Sequence, residues 1–308
     1  MIILRFTSGL GNQMFQYAFY RYLKNRYPDA QVLADTSWYE WNMAHQGFEL
    51  TRIFKRDSNP DFVFEEADKW QVLRASGMLP QTSEKVRYIN RLVRLFAGGH
   101  FEKQRLSETG REDENLLKSK VDNIDINKDT YITGYFLKED YYKDNLAELR
   151  KALSFDLKSL DEKNDDTLKH ISGCSSVAMH VRRGDYLTTG KEQGFLSLGM
   201  DYYKAAVELI KGQVENPRFF LFSDDKEFLE KEFAWLDDKF IVSGNNGDDS
   251  YKDMLLMSRC RHIITANSTF SEWAGLLNPH DDAIVVYPRA YLSDKDSDIK
   301  TIKGWIRL

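Results

Sequence analysis

The stretch Ser176-Val177-Ala178-Met179-His180-Val181 is a short, mostly apolar run that ends at the charged pair Arg182-Arg183 and at Gly184. A short apolar run bounded by a turn signal is typical of a strand buried on both faces. The pattern then repeats along the chain, with predicted strands at 218–223, 240–242, 262–265 and 283–287 and predicted helices at 201–211, 226–233, 251–258 and 270–277. This alternation indicates βαβ units that build a parallel sheet.

The first half of the chain carries a second set of such signals. Residues 2–6 predict a buried strand, 7–11 a turn, 12–26 a helix with one apolar face and 31–34 the next strand. Residues 131–135 predict a strand and 145–153 a helix, whereas 38–125 indicate helices and loops, with helix-like pieces at 65–76 and 85–96. Because 154–166 is rich in Asp, Lys and Ser, we expect an α/β domain at 1–155 and a second at 156–308.

The composition excludes several classes of protein. The chain has 308 residues, 42% of them hydrophobic and 30% charged, which is the balance of a globular protein rather than a disordered one. No apolar run approaches the length of a membrane span, and the first residues do not resemble a signal peptide. With only two cysteines and a net charge of −5, we expect no disulfide framework, no general nucleic-acid binding and a cytoplasmic location. The oligomeric state stays open.

The first candidate site is the segment after strand 176–181. Ligands of open parallel sheets bind beyond the carboxyl ends of the strands, where Arg182 and Arg183 stand. Arginine is always charged and offers bidentate donors, so this pair suits a phosphate clamp, with Asp185 able to hold one guanidinium in place. The alternative is a surface cluster of salt bridges.

Two further candidates follow other strands. Asp224, after strand 218–223, can accept hydrogen bonds from a ribose or a purine, whereas Asp225 is the better helix N-cap. The segment Thr265–Trp273 follows a strand and opens a helix, whose free N–H groups and dipole attract anions. Ser268 and Thr269 add hydroxyl donors there, although a simple helix cap explains them equally well.

The turn Gly9-Leu10-Gly11-Asn12-Gln13 resembles the start of a dinucleotide fingerprint, but Met14 stands where the third glycine would be. Asp35 is at about the right distance for a ribose-binding acid, so an NAD(P)-dependent oxidoreductase remains an alternative. Otherwise the glycines serve only a tight turn. The histidines are scattered singly and the acidic loop 294–298 lacks the pattern of a calcium loop, so we expect no metal site.

The motifs together resemble one family. The segment 9–18 is similar to the N-terminal motif of the α-1,2-fucosyltransferases of glycosyltransferase family 11. The segment His180–Tyr186 resembles the His-x-Arg-Arg-x-Asp motif shared by several fucosyltransferase families, and Ile264–Trp273 resembles the third motif of the family. These motifs occur in the family's order and extend over most of the chain.

This resemblance implies an α/β fold of the GT-B type, with two facing Rossmann-like domains. It further implies metal-independent, inverting transfer of L-fucose from GDP-β-L-fucose to the 2-hydroxyl of a terminal galactose in a glycan, with the donor held mainly by the C-terminal domain. Arg182 and Arg183 would bind the diphosphate and Asp224 the ribose or guanine. The other donor-binding residues would be Gly11, Asn12, His180, Asn267, Ser268, Thr269 and Phe270.

The catalytic base and the acceptor site are less defined. Inversion calls for a base on the acceptor hydroxyl, for which Asp185 and Glu192 are candidates, unless the departing phosphate itself takes the proton. On the N-terminal, acceptor side, Trp38, Trp41 and His45 are candidate contacts with the galactose-terminated oligosaccharide. The aromatic residues near position 40 also fit a third hypothesis, a glycan-binding protein without catalytic activity.

Overall fold

The computed structural model describes residues 1–40, 42, 46–79, 85–86, 89–90, 103–107, 114–184, 196–289 and 302–308. The chain forms two compact units, Met1–Leu153 and Ser154–Leu308. The division lies two residues before the predicted boundary. Most of the predicted helix 85–96 falls outside the described residues.

The N-terminal unit contains a four-stranded parallel sheet in the order β2-β1-β4-β3. Its strands are β1 (Ile2–Arg5), β2 (Val32–Asp35), β3 (Lys103–Ser107) and β4 (Asp129–Thr133). Its α-helices among the described residues are α1 (Leu10–Arg26), α2 (Leu50–Phe54), α3 (Lys69–Ser76), α4 (Glu114–Asp122) and α5 (Leu146–Ala152).

Aromatic residues build much of the core of this unit. Helix α1 buries Phe15 and Phe19 completely, and the Phe19 ring stacks on Phe136 with 3.7 Å between centroids. On the other face of the sheet, Ile3 packs with α3 through Val72. Full burial of each such side chain contributes roughly 1.5–3 kcal/mol.

The C-terminal unit contains a six-stranded parallel sheet in the order β10-β9-β8-β5-β6-β7. Its strands are β5 (Ser175–Val181), β6 (Pro217–Ser223), β7 (Lys239–Ile241), β8 (His262–Ile264), β9 (Val285–Tyr287) and β10 (Ile306–Arg307). Numbered within the unit, this is the order 3-2-1-4-5-6 of dinucleotide-binding folds, which reverses between the first and fourth strands. The expected ligand position is therefore the carboxyl edge between β5 and β8.

The helices of this unit are α6 (Glu162–Ser172), α7 (Met200–Lys211), α8 (Lys226–Glu232), α9 (Tyr251–Arg259) and α10 (Thr269–Leu276). Helix α7 packs its apolar face on β5 and β6, where Val207 and Ile210 join Met179 and Leu221 in the core. The close alternation of strands and helices confirms the predicted βαβ pattern.

Several sequence predictions need correction. The helix predicted at 65–76 begins only at Lys69, because the Asp68 carboxylate accepts bonds from the first-turn N–H groups and fixes the start there. Helix α6 begins within the segment interpreted as a polar break, where Asp161 is the cap. Strand β3 was not predicted, because the polar sequence of residues 103–107 has no apolar run.

Candidate active site

Three neighbouring strands bring the predicted donor-binding residues of the C-terminal unit to one edge of its sheet. Strand β5 lies between β6 and β8, and its last residues His180 and Val181 pair with Phe222 and Ser223 of β6. On the other side, Met179 pairs with Ile264 of β8. The segments that follow β5, β6 and β8 therefore emerge side by side.

Asp224 organises the turn after β5. Its carboxylate accepts a hydrogen bond from the backbone N–H of Arg183 at 3.1 Å and pairs with the Arg182 guanidinium, with 3.1 Å between Oδ2 and Nη1. Gly184 lies so close that a Cβ atom there would be 2.6 Å from the same carboxylate. A side chain at position 184 would therefore push the Asp224 carboxylate away from its present position.

Arg183 is held from two sides. Its Nε donates to Asp225 at 3.2 Å, and its guanidinium lies 3.6 Å from the centre of the Phe228 ring. Asp225 also caps α8, accepting a bond from the N–H of Phe228 at 2.9 Å, so its predicted role as N-cap is confirmed. These contacts fix the direction of the Arg183 side chain.

The two ion pairs orient the arginines more than they stabilise the fold. The side chains of Arg182 and Asp224 are 29% and 30% exposed, and pairs this accessible contribute at most about 1 kcal/mol. An arginine that is already oriented loses less side-chain entropy when an anion binds. Asp224 and Asp225 thus brace the two arginines, whereas Asp185, for which the sequence suggested such a role, lies outside the described residues.

His180 is buried behind the arginines. It is 5% exposed, its ring lies 5.9 Å from the Phe270 ring, and its Nδ1 has no hydrogen-bond partner among the described residues. Burial, with a further contribution from the Arg182 charge, lowers the pKa of His180 to about 3. The imidazole is therefore neutral at physiological pH and adds no positive charge to the site.

The N-terminus of α10 forms the third side of the edge. Ser268 caps this helix and accepts a bond from the N–H of Phe270 at 3.4 Å, as the sequence had allowed. Ser268, Thr269 and Phe270 are partly exposed. Because the first turn of a helix carries free N–H groups and a partial positive charge, this end of α10 attracts anions.

Two side chains fix the segment between β8 and α10. The Tyr202 hydroxyl donates to the carbonyl of Thr265 at 2.7 Å, and the Asn267 amide donates to the carbonyl of Leu196 at 2.7 Å. Asn267 is 2% exposed. In this structure its amide is thus engaged with the backbone, a role that the sequence did not suggest.

The N-terminal motif is organised differently from its prediction. Helix α1 begins at Leu10, so Gly11 lies buried in its first turn and Asn12 is partly exposed. The predicted turn at 7–11 is shorter, ending at Gly9, and the alternative that its glycines serve a special backbone geometry does not hold for Gly9, which has an ordinary φ of −79°. The residue with a left-handed backbone is Ser8, with a φ of 69°.

Asp35 is used inside the N-terminal unit. It is 3% exposed, and its carboxylate accepts hydrogen bonds from the Tyr131 hydroxyl at 2.5 Å and the Ser37 N–H at 3.0 Å. A carboxylate engaged in this way is poorly placed to bind a ribose. This geometry argues against the oxidoreductase alternative.

Of the remaining predicted residues, Trp38 lies just after β2, in the turn Ser37–Glu40, with its ring 4.9 Å from that of Tyr39. Trp41, His45, Asp185 and Glu192 lie outside the described residues. Within the described ranges, no three His, Cys, Asp or Glu side chains are grouped as potential metal ligands. None of the described helices has the length and apolar character that a bilayer crossing requires.

The sequence of the whole chain matches one family model. Glycosyl transferase family 11 aligns with residues 1–308. The chain belongs to glycosyltransferase family 11. The resemblance inferred from the three motifs is thereby confirmed, and the protein is a glycosyltransferase rather than an oxidoreductase.

Two curated relatives from Escherichia coli align over nearly their whole length. The O-antigen biosynthesis glycosyltransferase WbnK is 28% identical over 98% of this chain and 98% of its own. An α-1,2-colitosyltransferase is 28% identical over 100% of this chain and 99% of its own. A galactoside α-(1,2)-fucosyltransferase 1 from Ateles belzebuth is 29% identical over 33% of this chain and 28% of its own.

The fold has solved counterparts among fucosyltransferases. The structure of fucosyltransferase NodZ from Bradyrhizobium superposes with a TM-score of 0.51 and 16% identity, covering 90% of this chain and 92% of that one. POFUT1 in complex with GDP-fucose gives a TM-score of 0.50 at 13% identity, over 92% of this chain and 97% of that one. The α/β fold of the GT-B type is therefore confirmed.

Proposed function

We propose that the protein transfers L-fucose from GDP-β-L-fucose to the 2-hydroxyl of a terminal galactose in a glycan, with inversion and without a metal ion. The observation that carries the proposal is the placement of Arg182, Arg183 and the N-terminus of α10 around the carboxyl edge of β5 and β8. The family and the fucosyltransferase fold support the donor class.

The chemistry explains why the arginines matter. In the transfer, the acceptor oxygen forms a bond to C1 of the sugar while the bond from C1 to the β-phosphate oxygen breaks. The negative charge that develops on departing GDP has to be stabilised by groups already in place. Arg182, oriented by Asp224, supplies a guanidinium, and the first turn of α10 supplies N–H groups and a dipole.

The remaining donor contacts follow from the same placement. Ser268 and Thr269 would donate hydroxyl hydrogen bonds to phosphate, and Phe270 would cover the sugar. Asp224 would contact ribose or guanine with whichever oxygen Arg182 leaves available, and neutral His180 would line the same pocket. Arg183 acts mainly by holding the turn, since Asp225 and Phe228 already engage it.

Gly11 and Asn12 keep the donor-binding role that the family motif implies, and Trp38, Trp41 and His45 are the proposed contacts with the acceptor. The proton of the acceptor hydroxyl goes to Asp185, to Glu192 or to the phosphate of the leaving group. Replacing each acid by its amide separates these routes, because loss of a true base lowers kcat without changing the KM for the donor.

A second donor deserves a direct test because of the colitosyltransferase relative. Colitose is L-fucose without its 3-hydroxyl group. A pocket that hydrogen-bonds the 3-hydroxyl would reject the deoxy sugar by several orders of magnitude, whereas a pocket built for the deoxy sugar would crowd the extra oxygen. Comparing kcat/KM for GDP-fucose and GDP-colitose with one galactoside decides between them. The proposal expects GDP-fucose to be the better donor.

The central experiment replaces Arg182 by alanine and measures release of GDP and formation of fucosylated galactoside in the presence of a chelator. We expect a loss of about 10²–10³ in kcat, the cost of removing one preorganised charge donor. The matched control is Arg261→Ala, which removes another arginine paired with an aspartate, Asp282, on the surface of the same unit. Near-normal turnover by the Arg182 variant would refute the assignment of the clamp.

A further inference from the structure

Polar and aromatic side chains follow three adjacent strands of the N-terminal sheet, where β1 lies between β2 and β4. Ser8 follows β1, Tyr39 follows β2 and Tyr135 follows β4. The Ser8 and Tyr135 hydroxyls are 3.1 Å apart, and the Tyr39 hydroxyl donates to the Ser8 carbonyl at 2.8 Å. One cluster of hydroxyl groups therefore lies at the carboxyl edge of this sheet.

Two completely buried glutamines of α1 hold this edge together. The Gln13 amide donates to the carbonyls of Ser8 and Gly47, at 2.9 and 2.8 Å, and accepts from the N–H of Glu49 at 2.9 Å. Every one of these partners is a backbone group, and Gln13 has no exposed surface. The side chain thus fixes the segment after β1 against the segment around residue 48.

Gln16 makes a similar link one helical turn later. Its amide accepts from the N–H of Thr7 at 3.0 Å and donates to the carbonyl of Gly134 at 3.0 Å. Gly134 directly precedes Tyr135. The two glutamines therefore connect three loops, and they set the positions of Ser8 and Tyr135 relative to each other.

Ser8 occupies a backbone conformation that serine adopts reluctantly. Its φ of 69° lies in the left-handed region, where a side chain is crowded by its own backbone. Non-glycine residues are kept in this region when the surroundings impose it, and such residues cluster at functional sites. Here hydrogen bonds between Ser8 and the side chains of Gln13, Tyr39 and Tyr135 hold the left-handed conformation. In this conformation the Ser8 hydroxyl lies next to that of Tyr135.

The exposed part of this cluster has the chemistry of a sugar site. Tyr135 is 43% exposed, although it is a large aromatic residue, and Trp38 packs edge-on against Tyr39 beside it. Hydroxyl groups that can both donate and accept match the hydroxyls of a sugar, and aromatic rings match its apolar faces. The side chains named here carry no charge, in contrast to the arginines of the C-terminal unit.

We propose that the Ser8 and Tyr135 hydroxyls bind hydroxyl groups of the acceptor sugar, and that Gln13 and Gln16 are positioning residues for them. The inference rests on the proposed function, because it places the acceptor sugar of the proposed fucosyl transfer at the carboxyl edge of the N-terminal sheet. It makes Ser8 and Tyr135 determinants of acceptor specificity, which neither the motifs nor the spacing of the sequence indicated.

The test measures steady-state kinetics of Ser8→Ala and Tyr135→Phe with a galactoside acceptor and GDP-fucose. Each variant loses one hydroxyl, so we expect the acceptor KM to rise roughly three- to tenfold, while the KM for GDP-fucose stays the same. Tyr22→Phe is the matched control. It removes a tyrosine hydroxyl that donates to Asp122 at 2.7 Å, elsewhere in the same unit.

A third variant separates binding from strain. Ser8→Gly relieves the left-handed backbone and also removes the hydroxyl, so it should raise the melting temperature yet weaken acceptor binding as Ser8→Ala does. An unchanged acceptor KM in Ser8→Ala and Tyr135→Phe, or an equal rise in both KM values, would overturn the inference.

The failure of the inference is distinguishable from that of the proposed function. If wild-type protein neither binds GDP in calorimetry nor releases it from GDP-fucose, the proposed function is wrong, and the acceptor site falls with it. If the wild type transfers fucose and Ser8→Ala and Tyr135→Phe have the same acceptor KM as the wild type, the proposed function stands and the acceptor site alone is refuted.

Discussion

Replacing His180 by glutamine should reduce the loss of stability that acid causes in the C-terminal unit. In the folded protein the pKa of His180 is about 3 because of burial, whereas an unfolded histidine titrates near 6.5. Between these values only the unfolded chain binds the proton. Acid therefore favours unfolding, and the stability that neutral His180 provides is lost as the pH falls below about 6.5.

The size of the effect follows from the two pKa values. Each pH unit below about 6.5 costs close to 1.4 kcal/mol, so lowering the pH from about 7.5 to about 5 removes roughly 2 kcal/mol through His180. Other groups titrate over the same range, among them His262, whose pKa burial also lowers. They are common to wild type and variant, so the difference between the two proteins isolates His180.

The assay is urea unfolding of wild type and His180→Gln at several pH values from about 7.5 to about 5. Because the two units can unfold in separate transitions, the transition that GDP shifts to higher urea is taken as that of the C-terminal unit. The stability gap between the proteins should change by about 2 kcal/mol in favour of the variant as the pH falls. A gap that is constant with pH would refute the buried, neutral state of His180.

Two further predictions concern packing in the C-terminal unit. Burial raises the pKa of Asp253 to about 7, so below this pH the folded state binds a proton that the unfolded carboxylate releases. Folding is therefore stabilised as the pH falls below about 7. Asp253→Asn should abolish this gain in stability in the same urea series. Gly275 lies against Trp305, where a Cβ would be 2.7 Å from the indole ring, so Gly275→Ala should destabilise the unit by about 1–3 kcal/mol in thermal unfolding. An unchanged melting temperature would show that Trp305 can move aside at no cost.

The C-terminal fold was predictable because its signals are local. Strands β5, β6, β8 and β9 are short, largely buried and mostly apolar runs, and capping residues such as Asp225 and Ser268 mark the starts of helices between them. In the N-terminal unit, β3 has a mostly polar sequence and lies at the edge of the sheet, where among the described strands it pairs with β4 alone. The pairing with β4 makes this segment a strand, and that pairing cannot be predicted from the sequence of residues 103–107 alone.

The site was predictable in its residue types and less so in its contacts. Paired arginines at a strand end, and a serine and threonine at a helix start, have chemistry that can be inferred from sequence. That Asp224 faces Arg182 depends on the register between β5 and β6, which pairs Val181 with Ser223. The left-handed backbone of Ser8 was missed because glycine neighbours suggested that the special geometry belonged to them.

The ion pair between Arg182 and Asp224 has a consequence for thermodynamic measurements. A diphosphate that takes the Nη1 group of Arg182 competes with a carboxylate already bound there, so its association is an exchange of partners and not a simple addition. A dissociation constant measured for GDP then reports the difference between two attractions. Asp224→Asn would remove the carboxylate that competes for Arg182. Inorganic pyrophosphate is the suitable probe, because it lacks the nucleoside that Asp224 is proposed to contact. Pyrophosphate should bind the variant more tightly than the wild type.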